Sequence, residues 1–485
     1  MKILFASSEA VPFAKTGGLA DVAGALPKAL QKLGVEVRVI LPKYKGIEEK
    51  GLPISYPGRP ISVPVSQRMV EGEVAESRCN GVAVYLVEKD EYYYRDDLYS
   101  TQDGDFIDNA ERFVFFSRAV PEAIKATGFV PDVIHCNDWQ TALVPVFLKT
   151  AYRQEPLLSR IATLLTIHNL GYQGLFWHLD WHLLNLGWEY FTPNFLEFYG
   201  KINFLKGGIV FSDIINTVSQ KYSREIQTPE FGAGLEGILR TRKDELYGIV
   251  NGIDYDEWRP ETDAHIPAHY DAADLSGKAV CKAALQKAFK LPADPDTPVV
   301  SSISRLTDQK GFDLVSEGLE RMLSCGIQYI LLGTGERKYH ELLSELAQKH
   351  PQSFSLKIAY DNALAHLIEA GSDMFLMPSR YEPCGLNQLY SLRYGTIPIV
   401  RAVGGLDDTI EDEPQHPESR TGFKFRDYTV DAMLGALERA LAAYRVPEAR
   451  RLMAARCMKQ DFSWEKSAEE YKTLYEKAIK HHEFR

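Results

Sequence analysis

The sequence predicts an α/β protein built from two doubly wound, Rossmann-like domains facing across a cleft. Three observations carry that prediction. Two separate series of short apolar runs alternate with helix-length stretches, the pattern of parallel strands covered on both faces. The chain changes character near residue 250, where Asp, Pro and Gly interrupt the alternation. Finally, TGGLADV (16–22) is echoed by VGGLDDT (403–409), each following a strand and preceding a helix. That faint duplication puts a Gly-Gly turn at the carboxyl ends of strands in both halves, where open α/β sheets bind ligands.

In chain order, strand 2–7, a glycine turn, helix 21–33 and strand 35–41 form an opening βαβ unit. Further β-rich runs lie at 82–88, 132–138, 162–169 and 213–219, with helices at 108–127 and 141–151. Residues 171–204 are rich in Trp, Phe, Tyr and Leu with weak periodicity, and read as insertions around the cleft. The second series runs strand 299–304, helix 312–325, strand 328–335, helix 337–350, strand 354–360, helix 362–370, strand 373–379, helix 385–393 and strand 397–403. The expected domains are 1–250 and 251–460, with 461–485 returning to the first domain through a helix at 467–480.

Bulk properties narrow the function. With 485 residues and 45% hydrophobic content, the chain can bury two cores. A formal net charge of −11 argues against a general nucleic-acid or anionic-membrane binder, though a pocket can be locally basic. Cysteines at 79, 136, 281, 325, 384 and 457 include no CxxC pair, so neither a disulfide framework nor a zinc pattern is present, and a cytoplasmic location is expected. The apolar run at 3–6 is too short for a signal peptide, and no stretch approaches the roughly 18 apolar residues that cross a bilayer.

Several residues stand where chemistry is done. Lys15 precedes Gly17 and Gly18, so a charge, bare backbone N–H groups and a helix N-terminus converge on one spot suited to an anion. The blander alternative is a lysine on a solvated loop. Arg305 and Lys310 lie between a strand and a helix; a fork and a point charge in one loop suit a diphosphate. In PSRYEPCGLNQLY (378–390), Cys384, Gly385 and Leu386 read as the first turn of a helix that can offer N–H groups to an anion. Glu382 just ahead would repel phosphate, so it either bonds neutral sugar hydroxyls or favours the helix dipole. His168 is either a base or a hydrogen-bonded structural residue. Asp138 is either functional or an N-cap. Tyr360 either stacks on a flat base or joins a core, and Asn251 with Gly252 reads as a turn. His178 and His182 are four apart without an evident acidic third ligand, so no metal is expected.

Taken together, KTGGLADV, HCNDWQT, TIHNLGYQG, NGIDYDEW, SRLTDQKG, PSRYEPCGLNQLYSLRYGT and VGGLDDT resemble the bacterial glycogen synthases and plant starch synthases, over essentially the whole chain. The resemblance implies the two-domain GT-B glycosyltransferase fold. It also implies transfer of glucose from ADP-glucose to the non-reducing end of an α-1,4-glucan, with retention and without metal or other cofactor. It further implies that Lys15, Gly17 and Gly18 contact the donor diphosphate and sugar, and that Arg305 and Lys310 stabilise the leaving phosphate. Glu382 would hold donor glucose hydroxyls, and Cys384, Gly385 and Leu386 would supply N–H groups. Tyr360 would stack on the base, His168 would line the sugar site, Asp138 the acceptor side and Asn251 the cleft. Asn387 departs from the pattern, where many members have Thr.

Two other readings compete. A phosphorylase of similar build would degrade glucan with orthophosphate. A non-catalytic glucan binder would use Trp177, Trp181 and Trp188 for sugar stacking, though these rings serve equally as core. Sugar binding alone needs no phosphate cradle, so Lys15, Arg305, Lys310 and Glu382 favour an enzyme.

Overall fold

Lys2–Ala6 and Glu36–Pro42 are parallel strands joined by the helix Gly18–Lys32, with Ile3 opposite Val37 and Phe5 opposite Val39. Ile3 to Ala6 are all buried, as a strand covered on both faces requires. Helix 18–32 buries Leu19, Val22, Ala23, Leu26 and Leu30, a three-to-four-residue spacing that makes one apolar stripe. The computed structural model describes residues 1–101, 104–413 and 415–484. The chain divides into two units: Met1–Val218 with Ser223–Gly252 and Trp464–Arg485, and Ser219–Tyr222 with Ile253–Ser463.

Along the main sheet of the first unit the strands run 246–248, 214–217, 162–167, 133–137, 2–6, 36–42, 82–88, 68–79 and 54–55, with 60–65 also paired to 68–79. From 246–248 to 82–88 every pairing is parallel. The remaining strands are antiparallel. This edge is absent from the sequence reading because Pro60 and Pro64 break the apolar run and Arg68–Cys79 mixes charge with small residues. Residues 171–204 form a small antiparallel sheet of 175–177, 201–203 and 197–198. Phe176 on it packs against Trp139 and Phe204. Trp181 is buried, whereas Trp177 and Trp188 are 60% and 65% exposed.

The last helix, Trp464–Glu483, belongs to this same unit. Ala468, Tyr471, Tyr475 and Ala478 are its buried stripe. The Tyr475 hydroxyl lies 2.8 Å from His135 Nδ1, and Asn216 Nδ2 donates to the Tyr471 hydroxyl at 3.0 Å. His135, wholly buried, is also bonded through Nε2 to Thr166 Oγ1. Burial pushes its pKa well below the ordinary imidazole value, with His168 adding to the effect.

In the second unit all strands are parallel, in the order 354–358, 328–333, 299–303, 374–377, 397–401, 423–425. Leu285, Val299, Ile330, Ile368 and Phe375 centre one of its cores. The helix Ser276–Ala288 and the helices Val430–Tyr444 and Pro447–Met458 complete the layers and are additional to the elements the sequence predicts. Among the described residues no helix is long and apolar enough to cross a membrane.

Candidate active site

In the first unit the parallel strands 2–6, 133–137 and 162–167 end side by side and carry Glu9, Asp138 and His168 on the turns that follow. Lys15 lies on the loop from the first strand to helix 18–32, its Nζ 2.7 Å from Asp21 Oδ1. Burial raises the Asp21 carboxyl against the pull of Lys15. The N–H groups before the helix are not bare, contrary to the sequence expectation. Glu9 Oε2 accepts from the N–H groups of Thr16 and, at 3.2 Å, Gly17. Its Oε1 accepts from the Thr16 hydroxyl at 2.6 Å and the Tyr99 hydroxyl at 2.8 Å. Glu9 itself is buried. Nothing lies within 4 Å of where a Cβ on Gly17 would sit, so the turn is open on that side.

Asp138 has a left-handed backbone, φ +55°, and its Oδ1 accepts the His168 N–H at 2.7 Å. It is therefore not an N-cap; the next helix, Leu143–Lys149, starts after Ala142. Burial raises the Asp138 carboxyl to about 7, against the backbone N–H groups of His168 and Asn169 that lower it. His168 Nε2 lies 2.9 Å from Asn137 Oδ1, and Asn137 Nδ2 donates to the Ala6 carbonyl at 3.0 Å. Asn137 Oδ1 is thus the acceptor and His168 carries its proton on Nε2. Burial drops the His168 pKa to about 3, so the ring is neutral near pH 7 and acts as a hydrogen-bonding group. Asn251 is buried, and its Oδ1 has no partner among the described residues.

In the second unit two loops converge. The loop after strand 299–303 carries Arg305, exposed, and Lys310. Its backbone is anchored by Leu306 N–H to the Thr334 carbonyl at 2.8 Å. Gly311, φ +80°, lets it pass Pro378, whose carbonyl oxygen would lie 2.1 Å from any Cβ there. The Arg380 N–H donates to the Gln309 carbonyl at 2.8 Å and closes the contact. Lys310 Nζ then meets Glu382 Oε2 at 2.6 Å, and the Ser379 hydroxyl donates to the same oxygen at 3.0 Å. Glu382 is 4% exposed.

The second Gly-Gly pair explains the position of Glu382. Gly404, φ +46°, sits where a Cβ would meet the Glu382 carbonyl oxygen at 1.8 Å, and a Cβ on Gly405 would meet that of Cys384 at 2.2 Å. The Gly405 N–H donates to the Glu382 and Pro383 carbonyls, each at 3.2 Å. Only glycines let the chain pass this closely. Cys384, Gly385 and Leu386 are not a first helical turn: the helix is Asn387–Arg393, because Gly385 at φ +74° interrupts helical geometry. Asn387 Nδ2 donates to the Ile303 carbonyl at 2.5 Å and ties this turn to the strand before Arg305. Glu382 lies ahead of that helix and takes its partners from Lys310 and Ser379. Tyr360 is 78% exposed and thus belongs to no core. His182 bonds the Leu179 carbonyl at 2.6 Å within its own turn.

Sequence reasoning missed Glu9, Tyr99 and His135. For Glu9 the available signal was an acid directly after the first strand; for the others there was none.

Two family models cover most of the chain: the starch synthase catalytic domain at residues 2–241 and glycosyl transferases group 1 at 285–456. A solved catalytic domain of starch synthase IV from Arabidopsis thaliana, bound to ADP and acarbose, has a TM-score of 0.91 and 34% identity, covering 99% of each chain. A sucrose-phosphate synthase from Thermosynechococcus elongatus shares the fold alone, with a TM-score of 0.60 and 18% identity over 98% of each chain. A glycogen synthase of Koribacter versatilis strain Ellin345 is 49% identical over 99% of this chain and 98% of its own. One of Syntrophotalea carbinolica is 46% identical over 99% and 100%. These matches define a glycosyltransferase of GT-B fold. Within that class, the chain belongs to the glycogen synthase and starch synthase family.

Proposed function

We propose that the chain elongates glycogen by transferring glucose from ADP-glucose to the non-reducing end of an α-1,4-glucan, with retention, releasing ADP in the cytoplasm. Full-length similarity to proteins named glycogen synthase supports the reaction class. The ADP bound to the 34% identical starch synthase IV domain supports the nucleotide. The observation that carries the reading is the Lys310–Glu382 contact, clamped by Gly311 on one side and Gly404–Gly405 on the other.

Cleaving a glycosyl–phosphate bond puts negative charge on the leaving diphosphate and positive charge on the sugar. Lys310 and Arg305 of the second unit and Lys15 of the first are the groups proposed to meet the negative charge. Glu382, its charge shared with Lys310, takes glucose hydroxyls; Cys384 to Leu386 present N–H groups from the turn ahead of helix 387–393. Gly17 and Gly18 admit the donor, Tyr360 stacks on the base, and Asn251 offers its amide oxygen, which has no partner among the described residues. Neutral His168 holds a sugar hydroxyl, and Asp138 lies on the acceptor side. Hydrolases flank the anomeric carbon with two carboxylates. In the proposed step the acceptor hydroxyl instead attacks the anomeric carbon from the face the phosphate leaves, giving its proton to that phosphate.

The test incubates the protein with glycogen and labelled ADP-glucose or UDP-glucose. Incorporation from ADP-glucose with release of ADP is expected. Label from neither donor, or glucose 1-phosphate formed from glycogen and orthophosphate, overturns the assignment.

A further inference from the structure

The most unexpected feature of the first unit is a carboxylate at the place where an anion-binding turn should be empty. Glu9 is 4% exposed, yet both of its oxygens are saturated by two donors each. A buried carboxylate is tolerated only when donors or cations replace its water. Here the donors are two consecutive backbone N–H groups and two hydroxyls. Those N–H groups belong to Thr16 and Gly17, between Lys15 and the helix that starts at Gly18. The rest of the loop is held from the other end, by the Ala10–Ala14 bridge and the Val11 N–H on the Ala20 carbonyl at 3.0 Å. Tyr99 joins from a distant part of the chain, and its hydroxyl is also 2.7 Å from Ser8 Oγ.

We infer that Glu9 is a positioning residue for the donor loop: its carboxylate acts as a built-in anion at Thr16 and Gly17 and fixes Lys15 and Gly18 for the incoming diphosphate. The inference rests on the reading of Lys15–Gly18 given above. The geometry makes the role chiefly one of hydrogen-bond shape, with charge strengthening the bonds. Glutamine at position 9 can turn its carbonyl oxygen to the two N–H groups and its NH2 to the hydroxyls of Thr16 and Tyr99, which accept as readily as they donate. Alanine can do neither.

The test is steady-state kinetics with ADP-glucose and glycogen varied separately, on the full chain and its variants. Glu9→Ala is expected to raise the donor KM about tenfold and leave the glucan KM unchanged, from loss of charge-assisted bonds that order the loop. Glu9→Gln is expected to bring the donor KM back to within about threefold of the parent. Tyr99→Phe, which keeps the ring and removes one donor, is expected to raise it about two- to threefold. Lys15→Ala is the control that separates the two layers of the argument. If Lys15→Ala leaves the donor KM unmoved, the reading of the loop fails. If it raises the donor KM while Glu9→Ala does not, the positioning role is overturned. A rise in glucan KM alone overturns it too, because Glu9 then meets the acceptor. Should Glu9→Ala not fold, Glu9→Gln and Tyr99→Phe decide: a donor KM raised as much by Gln as Lys15→Ala raises it, or unmoved by Phe, is contrary to the inference.

Discussion

Lys310 and Glu382 depend on one another as much as any substrate depends on them. Glu382 is nearly inaccessible, and its ammonium partner is 2.6 Å away. Lys310→Met leaves that carboxylate buried without its cation, and is expected to destabilise the second unit by about 2–3 kcal/mol and to lower kcat by about 10²–10³. Adding Glu382→Gln removes the unpaired charge, so denaturant unfolding should recover while turnover stays low. Recovery of both would show that the lysine serves stability alone. Asp138 makes a pH prediction. Its folded pKa of about 7 lies above the ordinary value, so the folded state holds the proton more tightly and the native state loses stability as pH rises through that window. The slope is at most about 1.4 kcal/mol per pH unit. Asp138→Asn, which cannot ionise, should gain on the parent between about pH 4 and about pH 7 in urea unfolding; a constant difference would contradict the assignment. The cations are legible in sequence because a charge between an apolar strand and a helix stands out. Glu9 stands out only as an acid after the first strand; its role is not legible, because its donors come from residues 16, 17 and 99 and meet only in the fold.

At the level of elements, glycine spacing does more than form ligand-facing turns. The crowding at Gly404 is with the Glu382 backbone, so this glycine acts on the site from behind. Gly404→Ala must displace that backbone. It is expected to cost about 2–3 kcal/mol and to reduce kcat without adding any group to the site. Gly311→Ala should do the same through Pro378; full activity in either variant would refute the clamp. Strand and helix order in the parallel series is readable because buried parallel strands are continuous apolar runs. What is not readable follows a physical pattern as well. The antiparallel edge at 54–79 has proline and charge in its strands, and the helix expected from 385 starts at 387 because Gly385 adopts φ +74°. Helices 430–444 and 447–458 lie where no motif draws the eye.

For the molecule as a whole, the first unit is discontinuous: its chain leaves at Gly252 and resumes at Trp464. Tyr471 and Tyr475 of the last helix bond polar groups buried in the central strands, so Tyr475→Phe orphans His135 Nδ1. That change is expected to cost about 1–2 kcal/mol by chemical denaturation. Removing residues 464–485 should leave the first unit unable to fold cooperatively, measurable as loss of its near-UV circular dichroism; native-like protection without the helix would disprove this. The same discontinuity sets a schedule for biosynthesis. Residues 1–252 leave the ribosome before residues 464–483, yet that later segment covers their central strands. The intervening 200-odd residues can complete their own parallel sheet while the earlier half waits with apolar surface uncovered. The nascent chain is therefore most in need of chaperone shelter before helix 464–483 emerges.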